Sequence, residues 1–523
     1  MTPQEAAVVD MLREMLGLPR VGVDDNFLHL GGDSLLAIRL SARARGQGWR
    51  LSVADIFRYP RVGDMARHLT GRGADSDRDR SPEGGDEPRP FSLLDVPAER
   101  LKHVILEAAG DYGIAPKQVQ DLYPASAMQE GLMASSTGTD AGREEQQQQA
   151  YVLRQAYRLP EGLDMPRFCE AWRIAAGRCD ILRSRMVSRL DGALMVICAE
   201  PPPVSVMVGR GETPLEEYME RQQTMRFRYG KPLAHHASYD GWSLKLVWDD
   251  VVDAYRREAA LPPLIASTTP PRPSFASFVR YVWQIPAGPL EEFCYRRLAD
   301  VERSPFPLAK TSRLVRLPVR PLRFDDAAVS VSTLIQAAWG LVLTHYGGVP
   351  DLVFGVTVSG RGVALEGVES VAGPLIATVP RRENVSASIP YQYFPLDRIL
   401  HLGLPGCELQ LLLSVQPAGA AMDHSLEDDL GIRKVPSCAA DLYPYPLVVD
   451  AWPAGGHIHV DMHHDPLCLT ANAAESLLKH FDNIMERLAR SEATDAPGQV
   501  MVPAEDDLRT LAAWSWGPWG APP

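Results

Sequence analysis

A charged stretch rich in glycine and proline, GRGADSDRDRSPEGGDEPRP at residues 71–90, constrains the fold of this chain more than any other feature. It contains no aromatic and no β-branched residue, so it cannot bury enough apolar surface to offset the entropy lost on ordering. Such a composition is typical of a flexible linker. We therefore predict two folded units, one over residues 1–70 and one over 95–510, joined by a linker at 71–94.

The composition excludes several classes of protein. With 523 residues the chain is too long for a single domain of about 150 residues. Its net charge of −13 argues against a nucleic-acid partner, since nucleic-acid-binding proteins usually present a basic surface to the phosphates. No apolar run approaches the roughly 18 residues of a membrane helix. The 7 cysteines are scattered without a CxxC pair, which indicates reduced thiols in a cytoplasmic protein and no metal site.

The first unit has the pattern of a small helical bundle. Apolar residues recur at helical spacing over residues 5–17, a second apolar-faced helix starts at Ser34, and a third covers about 62–70. The second unit alternates helical patterns with β-rich runs, which predicts an α/β or α+β architecture long enough for two lobes. Its predicted strands are Ala193–Ile197, Asp351–Val358, Gln410–Val415, Leu447–Ala451 and His457–Met462.

Ser34 is the first candidate for chemistry. It follows Gly31, Gly32 and Asp33 and opens an apolar-faced helix, so its simplest role is that of an N-cap serine. A Gly-Asp-Ser-Leu signature also occurs in a family of hydrolases, where it follows the first strand of an α/β domain. The sequence before Ser34 is helical, which disfavours a hydrolase.

The surrounding sequence, DDNFLHLGGDSLLAIRL followed by LSVADIFRYPRVGDMA, resembles the thiolation (peptidyl carrier) domain of nonribosomal peptide synthetases. The resemblance covers essentially the whole first unit and implies an all-α four-helix bundle in which Ser34 carries a covalent 4′-phosphopantetheine arm. A phosphopantetheinyl transferase would install this arm from coenzyme A. A phosphodiester at a helix N-terminus is physically favourable, because free N–H groups and the positive end of the helix dipole face it.

The second candidate is HHASYDG, His235 to Gly241, which precedes the helical pattern WSLKLVWDDVVDAY. A lone histidine is usually structural, but two histidines with Asp240 and Gly241 at fixed offsets form a compact polar cluster. The cluster resembles the HHxxxDG centre of condensation domains, which coenzyme-A-dependent acyltransferases share in looser form. The resemblance implies that His236 is catalytic and accepts a proton from the attacking amine or positions that amine. Asp240 would pair with an arginine, and His235 and Gly241 would shape the backbone.

Three further segments resemble the same family, in order along the chain. DLYPASAMQEGLM keeps the motif residue Gln129, and RCDILRSRM has Cys179 where histidine is common. LVFGVTVSGRGVALEGVESVAGPLIATVP matches a motif of the C-terminal lobe, and its Arg361 is the candidate partner of Asp240. The YDGWS and SGR segments resemble filamentous-fungal enzymes most.

The resemblance implies a carrier–condensation didomain whose condensation part consists of two chloramphenicol-acetyltransferase-like α/β lobes. We expect the N-terminal lobe at 95–265, the C-terminal lobe at 266–510 and the start of a linker toward an adenylation domain at 511–523. The implied partners are an upstream adenylation domain, a downstream acceptor carrier domain and aminoacyl or peptidyl thioester substrates. The sequence has no Gly-rich adenylation signature and no Gly-x-Ser-x-Gly elbow of a thioesterase.

Two alternatives stay open. KPLA (231–234) follows an arginine-rich helical pattern without a strand-like run, whereas in the family a buried strand leads into the histidine pair, and a similar shortening follows Pro380. This favours a non-catalytic carrier scaffold with a degenerate condensation domain, while the intact HHASYDG favours the enzyme. The other alternative is a terminal condensation domain that cyclises and releases the peptide. The tail that resembles an adenylation linker argues against it.

Overall fold

The structure is a computed structural model of the chain. It describes residues 1–16, 20–27, 30, 36–37, 40–41, 43–44, 47, 49–51, 55–56, 59–71, 87–137, 151, 156–189, 192–204, 236–257, 272–301, 315–316, 320–323, 331–347, 352–361, 363, 365, 367–382, 399, 402–404, 409–416, 429–435, 445–454 and 457–490. Within these ranges, none of the helices combines the length and the apolar content needed to cross a lipid bilayer.

The first unit is a helical bundle around one hydrophobic cluster. Its described helical residues are Pro3–Leu16, 36–37, 40–41, 43–44, 55–56 and Val62–His68. The side chains of Phe27, Leu40 and Ile56 are fully buried within this cluster. A short antiparallel pairing of Trp49–Arg50 with Thr70–Gly71 accompanies the helices, which the sequence pattern did not indicate because each strand has only two residues.

The second unit alternates helices and strands. Its α-helices are Ala98–Tyr112, Ala127–Thr137, Met165–Arg178, Gly241–Arg256, Phe275–Trp283, Ala287–Leu298, Val331–Gly347 and Ala471–Arg490. Its strands are Val119–Pro124, Ala156–Arg158, Ser184–Arg189, Gly192–Cys198, Val315–Arg316, Arg320–Arg323, Phe354–Val358, Ala377–Arg381, Leu411–Val415, Arg433–Val435, Leu447–Ala454 and His457–His464. The strands predicted from the sequence are confirmed, with small shifts at their ends.

The first lobe of this unit contains a three-stranded antiparallel sheet. Its strand order is Val119–Pro124, Gly192–Cys198 and Ser184–Arg189. Helices Met165–Arg178 and Gly241–Arg256 pack against each other, and the ring centroids of Trp172 and Trp248 lie 4.8 Å apart at this contact. The buried face of helix Gly241–Arg256 thus anchors residues 236–240, which directly precede the helix.

The second lobe is built on a seven-stranded mixed sheet. Its strand order is 377–381, 354–358, 411–415, 447–454, 457–464 and 315–316, with 320–323 also paired to 457–464. Alternate strand residues share one face, because side chains on a strand point to opposite sides in turn. Helices Val331–Gly347 and Ala471–Arg490 cover that face, and the rings of Trp339 and Phe481 meet there edge to face at 5.7 Å.

The two lobes interlock around the loop that follows strand Phe354–Val358. Four residues of this loop share a hydrophobic cluster with the first lobe: Val363, Val368, Val371 and Leu375. Helix Phe275–Trp283, which the sequence boundary assigns to the C-terminal lobe, buries Phe275 and Phe278 in the same cluster. Strand Arg433–Val435 also pairs with Ala156–Arg158 of the first lobe. The described part of the histidine motif, residues 236–241, therefore lies at the junction of the lobes.

The loop that joins the two lobes comes closest to helix Phe275–Trp283 at a glycine. Gly373 has φ +152°, and a Cβ atom built on it would lie 2.2 Å from Cδ2 of Phe275. This φ is one that residues with side chains rarely adopt, and the facing atom belongs to a buried ring that has no free space to move into. The lobes can therefore approach this closely only because position 373 lacks a side chain.

We expect Gly373→Ala to lower the free energy of unfolding of the second unit by about 2–4 kcal/mol, through backbone strain and overpacking against Phe275. Chemical denaturation followed by circular dichroism measures this change. Gly110→Ala is the control, because Gly110 lies in helix Ala98–Tyr112 with nothing within 4 Å of its added Cβ. It should raise stability by up to about 1 kcal/mol. Equal unfolding midpoints for the two variants would contradict the close-approach argument.

Candidate active site at the lobe junction

Asp240 starts the helix that follows the histidine motif. Its backbone is extended, and its side chain accepts a hydrogen bond from the backbone N–H of Ser243 at 2.7 Å. The Ser243 hydroxyl accepts in return from the Asp240 N–H at 3.2 Å. This reciprocal arrangement is a capping box, which satisfies N–H groups that the first helical turn leaves without an intrahelical partner. The start of helix Gly241–Arg256 is thereby determined locally.

The same carboxylate forms a buried ion pair across the lobes. Asp240 is 1% exposed and Arg361 is fully buried, and Nη2 of Arg361 lies 3.2 Å from both carboxylate oxygens. Arg361 Nη1 donates to the carbonyls of Val368 and Val371 at 2.9 and 2.7 Å. The Leu375 N–H donates to the Asp240 carboxylate at 3.0 Å. These hydrogen bonds compensate for the desolvation of both charges and tie the loop of the second lobe to the first.

His236 is held by its backbone and by two aromatic rings. Its N–H donates to the carbonyl of Tyr151 at 2.9 Å. The imidazole stacks on Tyr239 with centroids 4.4 Å apart and rings inclined by 25°, and it meets the Tyr151 ring at 90° and 6.1 Å. Since two rings and a backbone hydrogen bond restrict it, the imidazole has a defined orientation before any substrate arrives.

A buried glutamine braces the loop from the other side. Gln129 is fully buried, and its Oε1 accepts from the Ser126 N–H at 2.9 Å while its Nε2 donates to the Ala237 carbonyl at 2.8 Å. Gln129 belongs to the DLYPASAMQEGLM segment, so this segment contributes a support for the residue next to His236. Both polar ends of the amide are used, which explains why a glutamine can be buried there.

Two tyrosines and a cysteine near the junction stay neutral at physiological pH. Burial raises the pKa of Tyr445 to about 12, and burial together with Tyr445 raises the pKa of Tyr151 well above its usual value. Burial also raises the pKa of the Cys179 thiol to about 11. These groups therefore act as packing or hydrogen-bonding groups near pH 7, and Cys179 stays a thiol, not a nucleophilic thiolate.

The structure brings together four of the residues singled out in the sequence: His236, Asp240, Gly241 and Arg361. Gly241 is exposed, and a Cβ atom on it would meet only Oε1 of Gln416, at 3.9 Å. The remaining two, Ser34 and His235, lie outside the described residues, as do positions 205–235 before the motif. The roles assigned to all six residues stay predictions.

Sequence reasoning missed several neighbours of this loop. The Asp240–Ser243 capping box was readable from the spacing of an N-cap aspartate and a serine three residues later. Tyr151 gave no local signal, because it is far from His236 in the chain and supplies its backbone carbonyl. The buried carbonyls of Val368 and Val371 likewise depend on the path of the loop and not on residue type.

Comparison with family models gives two matches. The model described as "Phosphopantetheine attachment site" matches residues 6–69, and the model described as "Condensation domain" matches residues 324–399. The first match covers the helical first unit. The second covers the segment of the second lobe that contains Arg361 and the interlocking loop.

Curated relatives are fungal synthetases. The chain is 29% identical to "Apicidin F synthase" of Gibberella fujikuroi over 90% of this chain and 10% of the relative. It is 29% identical to "HC-toxin synthetase" of Cochliobolus carbonum, over 96% of this chain and 11% of the relative. It is 29% identical to "Nonribosomal peptide synthetase ecdA" of Aspergillus rugulosus, over 98% of this chain and 8% of the relative. The chain thus spans about a tenth of the length of these relatives.

Solved structures share the two-lobed fold at low sequence identity. A crystal structure of "holo T3CT" superposes with a TM-score of 0.59 at 17% identity, covering 76% of this chain and 98% of that one. The starter condensation domain of rhizomide synthetase gives a TM-score of 0.55 at 17% identity, covering 71% of this chain and 95% of that one. The predicted fold class, a helical carrier bundle followed by a two-lobed acyltransferase-like domain, is confirmed.

We expect Asp240→Asn to lower the free energy of unfolding by about 3–5 kcal/mol, because it leaves the Arg361 charge buried without a counter-ion. Denaturant unfolding of the full chain measures this loss. Asp429→Asn is the matched control, since Asp429 pairs with Arg256 at 2.6 Å on the surface, where both side chains are more than a third exposed. Its expected cost is about 1 kcal/mol or less. Similar losses in the two variants would contradict the structural role of the buried pair.

Proposed function

We propose that this chain is part of a nonribosomal peptide synthetase and that it forms amide bonds between two thioester-bound substrates, because it matches a phosphopantetheine attachment model and a condensation model and resembles fungal synthetases. The observation that carries the proposal is the loop Ala237–Gly241 and its histidine. A buried ion pair fixes the loop at the lobe junction, and Gly241, at the end of the loop, is exposed. A histidine held in one orientation at a junction between two lobes suits a reaction between two delivered substrates.

Ser34 is the proposed attachment point of 4′-phosphopantetheine. Leu36 and Ala37, two and three residues after Ser34, are helical and buried in the carrier core. A serine hydroxyl supplies the oxygen that a phosphodiester needs, and an anchored helix start can hold that oxygen in place. When bound, the arm holds the donor acyl group as a thioester.

His236 is the proposed catalytic base. The amine of the acceptor attacks the carbonyl carbon of the donor thioester, the C–N bond forms, and the C–S bond breaks with departure of the thiol. The imidazole accepts the proton that the amine loses and passes a proton to the leaving sulfur, so the enzyme is unchanged after one turnover. Asp240 is a positioning residue in this scheme, because Arg361 and the helix start occupy its carboxylate.

Tethering supplies much of the rate in this proposal. The structure narrows the predicted linker at 71–94, because Phe91 and Leu94 pack against the condensation unit and Glu87 accepts hydrogen bonds from Ser274. The remaining linker keeps the donor near His236 at a high effective concentration, so that the two substrates meet without a diffusional encounter. We propose that an upstream adenylation domain supplies the donor and a downstream carrier domain supplies the amine. A cytoplasmic location fits a reaction that begins with coenzyme A and a transferase.

A non-catalytic carrier scaffold is the second candidate function. The short segment before His235 in the sequence favours it, and residues 205–235 lie outside the described ranges. Against it stand the hydrogen bonds that orient the described part of the motif, from Gln129, Arg361 and Leu375. A docking platform has no need of an oriented imidazole.

The test uses the full chain with Ser34 loaded by a transferase and an aminoacyl-coenzyme A, together with a soluble acceptor aminoacyl thioester. Mass spectrometry follows the dipeptide. We expect His236→Ala to slow dipeptide formation by about 100-fold or more, the range lost with a general base. His103→Ala, which removes an exposed histidine paired with Glu107, should leave the rate unchanged. Loading of Ser34 without dipeptide from any of several acceptors would favour the scaffold.

A further inference from the structure

The carrier domain touches the condensation domain next to the catalytic loop. Within the described ranges, the hydrophobic cluster of the carrier includes one residue from beyond the linker, Trp242. This tryptophan directly follows Gly241 and lies two residues after Asp240. The carrier therefore rests on the residue at the start of the helix that Asp240 caps.

Trp242 is held in place by the second lobe. Its indole Nε1 donates to the carbonyl of Glu369 at 2.8 Å. The guanidinium carbon of Arg361 lies 5.6 Å from the centroid of its ring, a distance at which a cation is attracted to the ring face. The arginine that pairs with Asp240 thus also orients the indole. A rigid, half-buried indole with one face toward a partner is the kind of residue that dominates protein interfaces.

The cluster that Trp242 packs against also contains a residue close in sequence to the proposed attachment site. Leu36, two residues after Ser34, belongs to the same cluster that Trp242 packs against. A contact centred on a single aromatic side chain is also weak enough to be broken, which suits a carrier that has to visit other domains for loading.

We propose that Trp242 is the docking anchor that seats this chain's own carrier domain on the condensation domain for donor delivery. The proposal rests on the proposed function, because it assumes that Ser34 brings the donor to His236. Trp242 is a positioning residue in this role. Trp242 links the docked carrier to the Asp240–Arg361 pair, because Arg361 contacts both the Trp242 ring and Asp240.

The first measurement reports docking without any chemistry. Ser34 is labelled by a transferase with a fluorescent coenzyme A derivative, and the fluorescence anisotropy of the full chain is recorded. We expect Trp242→Ala to lower the anisotropy, because the carrier then tumbles on its linker. Trp283→Ala, which removes a tryptophan 53% exposed at the end of helix Phe275–Trp283, should leave it unchanged. An anisotropy for Trp242→Ala equal to that of the native chain would overturn the proposal.

Trp242→Phe separates the carrier contact from the indole hydrogen bond. The phenyl ring keeps an aromatic surface for the carrier but loses the bond to Glu369. We expect its anisotropy to stay close to the native value. A fall as large as that of Trp242→Ala would show that the hydrogen bond decides the effect, and the docking role would be wrong.

The second measurement compares two donors in the dipeptide assay. One donor is tethered at Ser34, and the other is a free aminoacyl-pantetheine supplied to the Ser34→Ala chain. We expect Trp242→Ala to lower the ratio of tethered to free rates about tenfold, equivalent to about 1.4 kcal/mol of docking free energy. An unchanged ratio, with both rates reduced alike, would mean that Trp242 only supports the His236 loop. A fall in anisotropy without dipeptide from any chain would support docking and count against the proposed catalysis.

Discussion

The buried ion pair between Asp240 and Arg361 is the interaction on which the geometry of the site depends. One carboxylate caps a helix of the first lobe, accepts an N–H from the loop of the second lobe and neutralises a fully buried guanidinium. Removing either charge would leave the other desolvated without compensation. The helix start, the lobe contact and the histidine loop therefore form one unit that is present or lost together.

The supports around His236 are mostly backbone groups held by distant side chains. Gln129 binds the carbonyl of Ala237, and the N–H of His236 itself binds the carbonyl of Tyr151. Burial raises the pKa of Tyr151, whose ring meets the His236 imidazole edge to face, so the histidine has a neutral phenol beside it. Such surroundings add no charge that would compete with proton transfer at the imidazole.

The contact at Trp242 relates this rigid site to a carrier that has to move. The linker raises the effective concentration of the carrier near the site, so a weak contact between Trp242 and the carrier is sufficient. Because Arg361 contacts both the indole and Asp240, the Trp242 contact and the histidine loop share one support. A strong interface would hold the carrier in place and prevent it from being reloaded.

The sequence by itself determined the two-unit organisation, the principal strands, the helix after HHASYDG and the resemblance to carrier and condensation domains, because these depend on local composition, periodicity and contiguous motifs. It also suggested Arg361 as the partner of Asp240, through a resemblance and not through spacing. Only the tertiary structure decided which groups meet at the junction. Arg361 and Asp240 are 121 positions apart, Gln129 and Ala237 108, and Trp242 and Glu369 127. Contacts over such separations depend on how the lobes pack, and no local pattern encodes them.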